Sequence, residues 1–284
     1  MFTATRRNFL SQGAALAAAS TVSAASPASA AAVDAPISPV RLGVASYSFR
    51  KFDRAHVIEF MKVLKASLIN LKDVHLPMGT PDEIRRGAAE FRQAGLTITG
   101  AGTIALDKDD DADMRMKFEY VKTAGIPLIV GAPSLKTLPR VEKFVKEYGI
   151  KVAIHNHGPE DKNFPSPFDV LKAVRSLDPR VGLCIDAGHA VRAGADVPAA
   201  VKAAGPRLFD MHIKDLSDFG RDDRGVPVGD GLMPIPGIFK ALIAIGFKGQ
   251  IMLEYEVDET NPLPGMVKSL AYMRGVLAGM GYKA

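Results

Sequence analysis

The sequence beyond residue 40 predicts one α/β domain, a closed (β/α)8 barrel. Short apolar, β-branched-rich runs alternate eight times with longer stretches in which apolar residues recur every three or four positions, as at Val57, Phe60, Met61 and Leu64. Glycine stands just ahead of several runs, at Gly95, Gly125, Gly149 and Gly246, where a helix would stop. The first run leads into Ser46, Tyr47, Ser48 and Phe49 with no glycine-rich phosphate turn, which argues against an open doubly wound sheet.

The elements follow in pairs. A strand at 41–46 precedes a helix at 53–66, and a strand at 68–74 precedes a helix at 81–94 that stops at Gly95. The third pair is 96–101 with 110–124, stopping at Gly125, and the fourth is 127–131 with 137–148, stopping at Gly149. Next come 151–155 with 167–177, 181–186 with 195–204, and 208–212 with 234–246, the last stopping at Gly246. A final strand at 250–254 and a helix at 262–281 complete eight units, so residues 41–284 are read as a single domain.

Composition is consistent with this. Hydrophobic residues make up 47% and charged residues 24% of 284, enough apolar material for a full core. The formal charge is +5, part of it from Arg6 and Arg7, and elsewhere basic and acidic residues alternate. With no basic stripe interleaved with aromatics and no Trp, a nucleic-acid partner is not expected. Cys184 is the only cysteine, which excludes an internal disulfide and a thiolate cluster, and its apolar neighbours suggest a buried small hydrophobe.

Residues 1–32 differ from the rest. Arg6 and Arg7 precede a short Ala-rich stretch, and Ala28, Ser29 and Ala30 offer a small-residue cleavage site. The stretch is too short to span a bilayer of about 30 Å and resembles a twin-arginine export signal. The expectation is a periplasmic or otherwise exported protein, with residues 33–40 as linker and no lasting membrane insertion.

In a barrel the C-terminal strand ends converge on one mouth, where chemistry sits. Five of the six histidines fall at predicted strand ends, with His56 on a helix as the exception. The best metal-ligand set is His155, Asp186, His212 and Glu254, one from each of four consecutive strands. Imidazole and carboxylate together suit one divalent Mn, Zn, Co or Fe ion better than Ca or Mg. Glu254, Glu256, His157 and Lys214 are the candidate catalytic residues, with Lys214 placed to steady a developing oxyanion. His75, Lys72, His189 and Tyr47 are candidate substrate contacts, and Tyr47 and Phe49 offer either an apolar wall or core packing. The loop from Gly225 to Gly231 carries a weak anion-binding signal, and the stretch 218–231 has the length and glycines of a lid.

Taken together, His155-Asn156-His157-Gly158, Asp186 with His189, His212 with Lys214 and Asp215, Val228-Gly229 with Gly231, and Glu254-Tyr255-Glu256 resemble the xylose isomerase-like barrel superfamily, specifically its sugar phosphate isomerase/epimerase group. The resemblance covers residue 41 to about 280. It implies a metal-dependent isomerase or epimerase of a small sugar-like substrate acting through an enediolate. In epimerases of the group a Glu, an Asp, a His and a second Glu hold a Mn-like ion, and the two glutamates pass a proton across the sugar. Here His155 stands at the first Glu position while Glu254 matches the second, so a different base, His157, Lys214 or Glu256, would have to serve. The superfamily also includes lyases and dehydratases of 3-keto sugars, which need one base only. A non-catalytic periplasmic sugar-binding barrel is the third expectation. The superfamily's three-zinc DNA-repair nucleases need more ligands than these strand ends supply. Export argues for an unphosphorylated sugar.

Overall fold

The computed structural model describes residues 35–220 and 225–283, and over them the eightfold alternation closes into a parallel barrel. Its strands are β1 (Arg41–Ala45), β2 (Leu68–Leu71), β3 (Thr97–Leu106), β4 (Leu128–Pro133), β5 (Lys151–His155), β6 (Val181–Asp186), β7 (Leu208–Ile213) and, after a small antiparallel ribbon of β8 (Asp215–Leu216) and β9 (Gly225–Val226), β10 (Gln250–Leu253). The order around the barrel is β1-β10-β7-β6-β5-β4-β3-β2, so each strand lies beside the next in sequence and β10 closes on β1. The helices are α1 (Arg54–Val63), α2 (Pro81–Gln93), α3 (Asp111–Thr123), α4 (Leu138–Tyr148), α5 (Pro167–Val174), α6 (Ala187–Arg192), α7 (Val197–Ala204), α8 (Ile235–Ala244) and α9 (Leu263–Gly279).

Local chemistry starts most helices. Thr80 and Glu83 exchange side-chain to backbone hydrogen bonds ahead of α2, with Pro81 in its first turn, and Ser166 and Asp169 repeat the device at α5. Asp53 and Asp110 cap α1 and α3 through their side chains. The three-four periodicity then turns one face of each helix onto the barrel: Val57 and Met61 of α1 are fully buried, as are Phe91 of α2 and Phe144 of α4. Each such side chain contributes roughly 1.5–3 kcal/mol on burial.

The structure departs from the expected elements where periodicity carries no information. β2 ends at Leu71 rather than at residue 74, so Lys72 and His75 lie in the following loop. β3 runs on to Leu106 through an irregularity between Ala101 and Ile104. At Gly102 a Cβ would stand 2.2 Å from the Val130 carbonyl oxygen, so only glycine lets the two strands approach there. The six-residue α6 is too short to show a period and is started by an Asp186 side-chain cap on the His189 amide.

The expected signal at 1–32 lies outside the described residues. Part of the expected linker is tied down: Ile37 bridges Lys283, and the Ser38 amide donates to the Lys283 carbonyl at 2.7 Å. Among the described residues no helix is long and apolar enough to cross a membrane.

Candidate functional site

Four ligand atoms, one each from His155, Asp186, His212 and Glu254, lie within 4.8 Å of one another at the C-terminal end of the barrel. His155 and Asp186 are the last residues of β5 and β6, His212 is the penultimate residue of β7, and Glu254 follows directly on β10. Asp186 pairs in register with His212, and the Glu254 amide donates to the Ile213 carbonyl at 3.0 Å, so adjacent ladders level the four donors. His155 Nε2 stands 3.2 Å from His212 Nδ1 and 3.6 Å from Asp186 Oδ2, while His212 Nδ1 is 3.3 Å from Glu254 Oε1.

The supports of this cluster aim each donor. The His189 amide at the start of α6 donates to Asp186 Oδ1 at 2.7 Å, which leaves Oδ2 turned to the cluster, buried and without a hydrogen bond. Fully buried Asn156 joins the ends of β5 and β6, its Nδ2 donating to the Asp186 carbonyl at 3.1 Å and its Oδ1 accepting from the Asp186 amide at 2.9 Å. A buried carboxylate oxygen with no hydrogen bond, its one cationic neighbour the Lys214 ammonium at 3.2 Å, together with two imidazoles and a second carboxylate, is a donor arrangement a divalent cation can share. The residues fit such an ion.

Lys214 adds a fixed positive charge. Its buried Nζ lies 3.2 Å from Asp186 Oδ2, 3.2 Å from Glu254 Oε2 and 2.5 Å from Glu256 Oε2. Its stem passes over α6 at Gly188, where a Cβ would stand 2.4 Å from Lys214 Cγ, so glycine is needed for that passage. Burial opposes charge on Lys214, Asp186 and Glu254 alike, yet the attraction of His212 for Glu254 and of Lys214 for both carboxylates overrides it. The ammonium pKa is held well above its ordinary value and both carboxylates well below theirs.

The histidines divide. Burial lowers His155 to about 4, so it is a neutral ligand, and burial also lowers His157 and His189. Burial opposes charge on His212 as well, but neighbouring Cys184 and Glu254 raise it well above the usual histidine value. Because burial pushes the Cys184 thiol up to about 12 and so keeps it neutral, Glu254 is the charge that matters there. Arg192 donates to His189 Nδ1 at 3.2 Å, which fixes the proton of the neutral ring on Nε2.

Above the cluster opens a cavity of about 260 Å³, lined by Tyr47, Lys72, Thr103, His155, His157, His189, Glu254 and Glu256. Of the sequence-predicted substrate contacts, Tyr47, Lys72 and His189 are therefore present at the mouth. His75 is not: it is 1% exposed and both its nitrogens are used inside the protein. Nε2 lies 3.1 Å from the Phe49 carbonyl, which must accept its proton, and Nδ1 lies 3.0 Å from Ser46 Oγ, which also accepts from the Lys72 amide at 2.8 Å. His75 thus clamps the 3-10 turn Ser46–Phe49 to the loop after β2, and it positions Tyr47 and Lys72 without touching the cavity. Phe49 is fully buried core rather than wall.

The weak anion signal at 225–231 also has an internal answer. The amides of Gly229 and Gly231 donate to Asp215 Oδ2 at 2.9 and 3.2 Å, and that of Met233 to Oδ1 at 3.0 Å, so the loop cradles its own buried carboxylate. Residues 221–224, in the middle of the expected lid, lie outside the described residues.

Residues 58–276 match the family described as xylose isomerase-like TIM barrel. The chain belongs to that family.

Similar proteins include an inosose dehydratase of Klebsiella pneumoniae, 29% identical over 46% of this chain and 50% of the relative. An inosose isomerase of Bacillus licheniformis is 27% identical over 44% of this chain and 47% of the relative. The chain spans about half the length of the relatives it matches. The crystal structure of the IOLI protein with a bound zinc atom superposes with a TM-score of 0.68 at 18% identity, covering 84% of this chain and 99% of that one.

Two features of this xylose isomerase-like mouth escaped sequence reading. Thr103 reaches the cavity only because β3 continues past the expected end at Ala101, and the unbroken apolar-and-small run up to Leu106 was the available signal. The cross-brace made by Asn156 has no signature beyond its place between two histidines.

Proposed function

We propose that this protein is a divalent-metal-dependent isomerase or epimerase of a small keto-sugar or keto-polyol, working through an enediolate. One observation carries the reading: a four-donor centre borders, through His155 and Glu254, a 260 Å³ cavity whose other lining residues are polar. Ordinary ligand pockets begin at about 300 Å³, so the space suits a single polyhydroxylated ring. Tyr47, Lys72 and His189 supply hydrogen bonds for its hydroxyls.

His155, Asp186, His212 and Glu254 would hold the ion, which when bound supplies Lewis-acid polarisation of a ketone oxygen. The chain's own groups do the rest. His157, neutral because burial lowers its pKa, takes a proton from the hydroxyl-bearing carbon beside the ketone. Isomerisation returns a proton to the former ketone carbon while the hydroxyl proton passes to the former ketone oxygen, and epimerisation returns a proton to the first carbon on its opposite face. Lys214 stays charged and opposes the negative charge that develops on oxygen. Glu254 is engaged by His212 and Lys214, whereas among the described residues Glu256 has only Lys214 as an ion-pair partner, so of these two cavity-lining carboxylates Glu256 is the better placed to share the proton work.

A dehydratase is the second reading, favoured by His155. With an imidazole where the two-carboxylate epimerases of the resemblance carry Glu, one base suffices to remove the α-proton while a β-hydroxyl departs as water. The inosose dehydratase relative supports it. We also propose export through the twin-arginine signal read at residues 1–32, and with it an unphosphorylated substrate.

The test is incubation of the full chain with inososes and ketohexoses in D2O, with Mn, Zn, Co or Fe supplied in turn. An isomer carrying solvent deuterium supports the isomerase, and loss of water from the ketone supports the dehydratase. Saturable binding with no deuterium uptake on any substrate would leave a sugar-binding barrel and overturn both.

A further inference from the structure

Cys184 is a buried donor beside the four-donor centre that the proposed reaction does not use. It stands two residues before Asp186 on β6, on the same face of the strand, and pairs in register with His155 of β5. Its sulfur, one nitrogen of His155 and one nitrogen of His212 lie within 4.8 Å of one another, and all three residues are buried. A sulfur donor is thus set one step below the Asp186 carboxylate, against the same two imidazoles.

Those imidazoles have nitrogens to spare. His155 Nε2 and His212 Nδ1 face each other and the carboxylates at 3.2 to 3.6 Å. The remaining nitrogens, His155 Nδ1 and His212 Nε2, are buried and make no hydrogen bond, which native interiors rarely leave without an ion or water. Cys184 and His212 are close enough that each shifts the protonation of the other. The surroundings of the two donor sets differ. Asp186 Oδ2 and Glu254 Oε2 each lie 3.2 Å from Lys214 Nζ, so an ion held by the carboxylates shares them with an ammonium. Asp186 and His212 are in register, Lys214 follows His212 by two residues and Cys184 precedes Asp186 by two, so ammonium and sulfur come to the centre from opposite directions. Around the sulfur pack Leu128, Val130 and Ala153, an apolar shell that keeps water from competing for an ion.

We infer that Cys184 is a soft donor to this centre: a thiophilic ion, zinc or cadmium, is held by His155, Cys184 and His212, whereas an oxygen-preferring ion such as manganese is held with Asp186 and Glu254. The inference rests on the reading of the strand ends as a metal centre and adds ion selection to it. Coordination forms a metal–sulfur bond and releases the thiol proton to water, with no change of oxidation state. Burial keeps that thiol protonated until the ion arrives. The mouth cavity touches His155 and Glu254 but neither Cys184 nor His212, so an ion drawn toward the sulfur is withdrawn from the substrate.

The experiment is titration of the metal-free full chain with cadmium, followed by ultraviolet absorbance, beside calorimetric titrations with cadmium and with manganese. About one cadmium per chain is expected, with a sulfur-to-cadmium charge-transfer band. Cys184 is the only cysteine, so the band reports on this thiol alone and needs no variant. Cys184→Ala should remove the band and weaken cadmium by at least the roughly tenfold that losing a ligand's supporting partner costs, with manganese binding unchanged. Cadmium bound without the band, or bound equally by the variant, would overturn the inference and leave the four-donor centre standing. A parallel loss of manganese affinity in the variant would show that the thiol serves the fold alone, and would also overturn it. Failure of both ions to bind the wild-type chain would overturn the metal centre itself, and this inference with it.

Discussion

The two halves of the barrel mouth are built differently. On the side of β5, β6, β7 and β10, the functional side chains belong to the strand ends themselves, and all four cluster residues are nearly or fully buried. On the side of β1, β2 and β3, they come from irregular backbone: Tyr47 from a 3-10 turn, Lys72 from the loop after β2, and Thr103 from the irregular stretch of β3. The first half fixes charge by strand register, because a buried charge tolerates little displacement before desolvation outweighs attraction. The second half fixes shape by a relay of hydrogen bonds through Ser46 and His75. Under the proposed function, the rigid half would carry the chemistry and the relayed half the substrate fit.

Substitution can break that assignment. The largest effect is expected from Asp186→Ala combined with His212→Ala, which should lower turnover by about 10³-fold or more while leaving a folded barrel, because Lewis-acid stabilisation is worth several kcal/mol. Steady-state kinetics with far-ultraviolet circular dichroism checks it, and activity near wild type would remove the strand-end half from the chemistry. Next is Lys214→Met. Turnover should fall by ~10²–10³-fold, as for loss of one oxyanion donor. Metal affinity should rise at the same time, since Lys214 shares Asp186 and Glu254 with the ion's site. Weaker metal binding in a calorimetric titration would show instead that the ammonium holds the carboxylates in place.

In the other half, Lys72→Ala and Tyr47→Phe should raise KM by about tenfold and change kcat little, the signature of binding lost equally from ground and transition states. A matching fall in kcat would move these residues into the chemistry. The smallest effect sharpens the role of His75. His75→Gln should cost about 1–3 kcal/mol of stability through unpaired buried groups, and should raise KM only as far as the Tyr47 turn loosens. Burial lowers the folded-state pKa of His75 below its ordinary value of 6.5, so the unfolded chain binds that proton more readily. The contribution of His75 is therefore present above pH 6.5 and is lost as pH falls below it. Urea melts from pH 7.5 to 5 should be flatter in the variant, and parallel curves would contradict the clamp.

The same contrast explains what could be read from sequence. His155, Asp186, His212 and Glu254 were legible because eight periodic units give the strand ends, and strand alternation then points each residue inward. Lys214 and Glu256 followed from two-residue spacing to His212 and Glu254. On the relayed half no periodicity exists. His75 was misassigned because a histidine just beyond a strand looks alike whether it faces a cavity or closes a turn, and only the Ser46 and Phe49 contacts decide between them. Thr103 was missed because β3 outran its expected end. The glycine loop at 225–231 was ambiguous for a similar reason, since amides that could hold an external anion are satisfied by Asp215.

The four strand-end donors are proposed to form one metal centre. That centre is tested most directly by measuring metal per chain with inductively coupled plasma mass spectrometry, on wild type beside the Asp186→Ala, His212→Ala double variant. About one Mn, Zn, Co or Fe per wild-type chain is expected, and none in the variant. No metal in either protein, even after each ion is added, would contradict it.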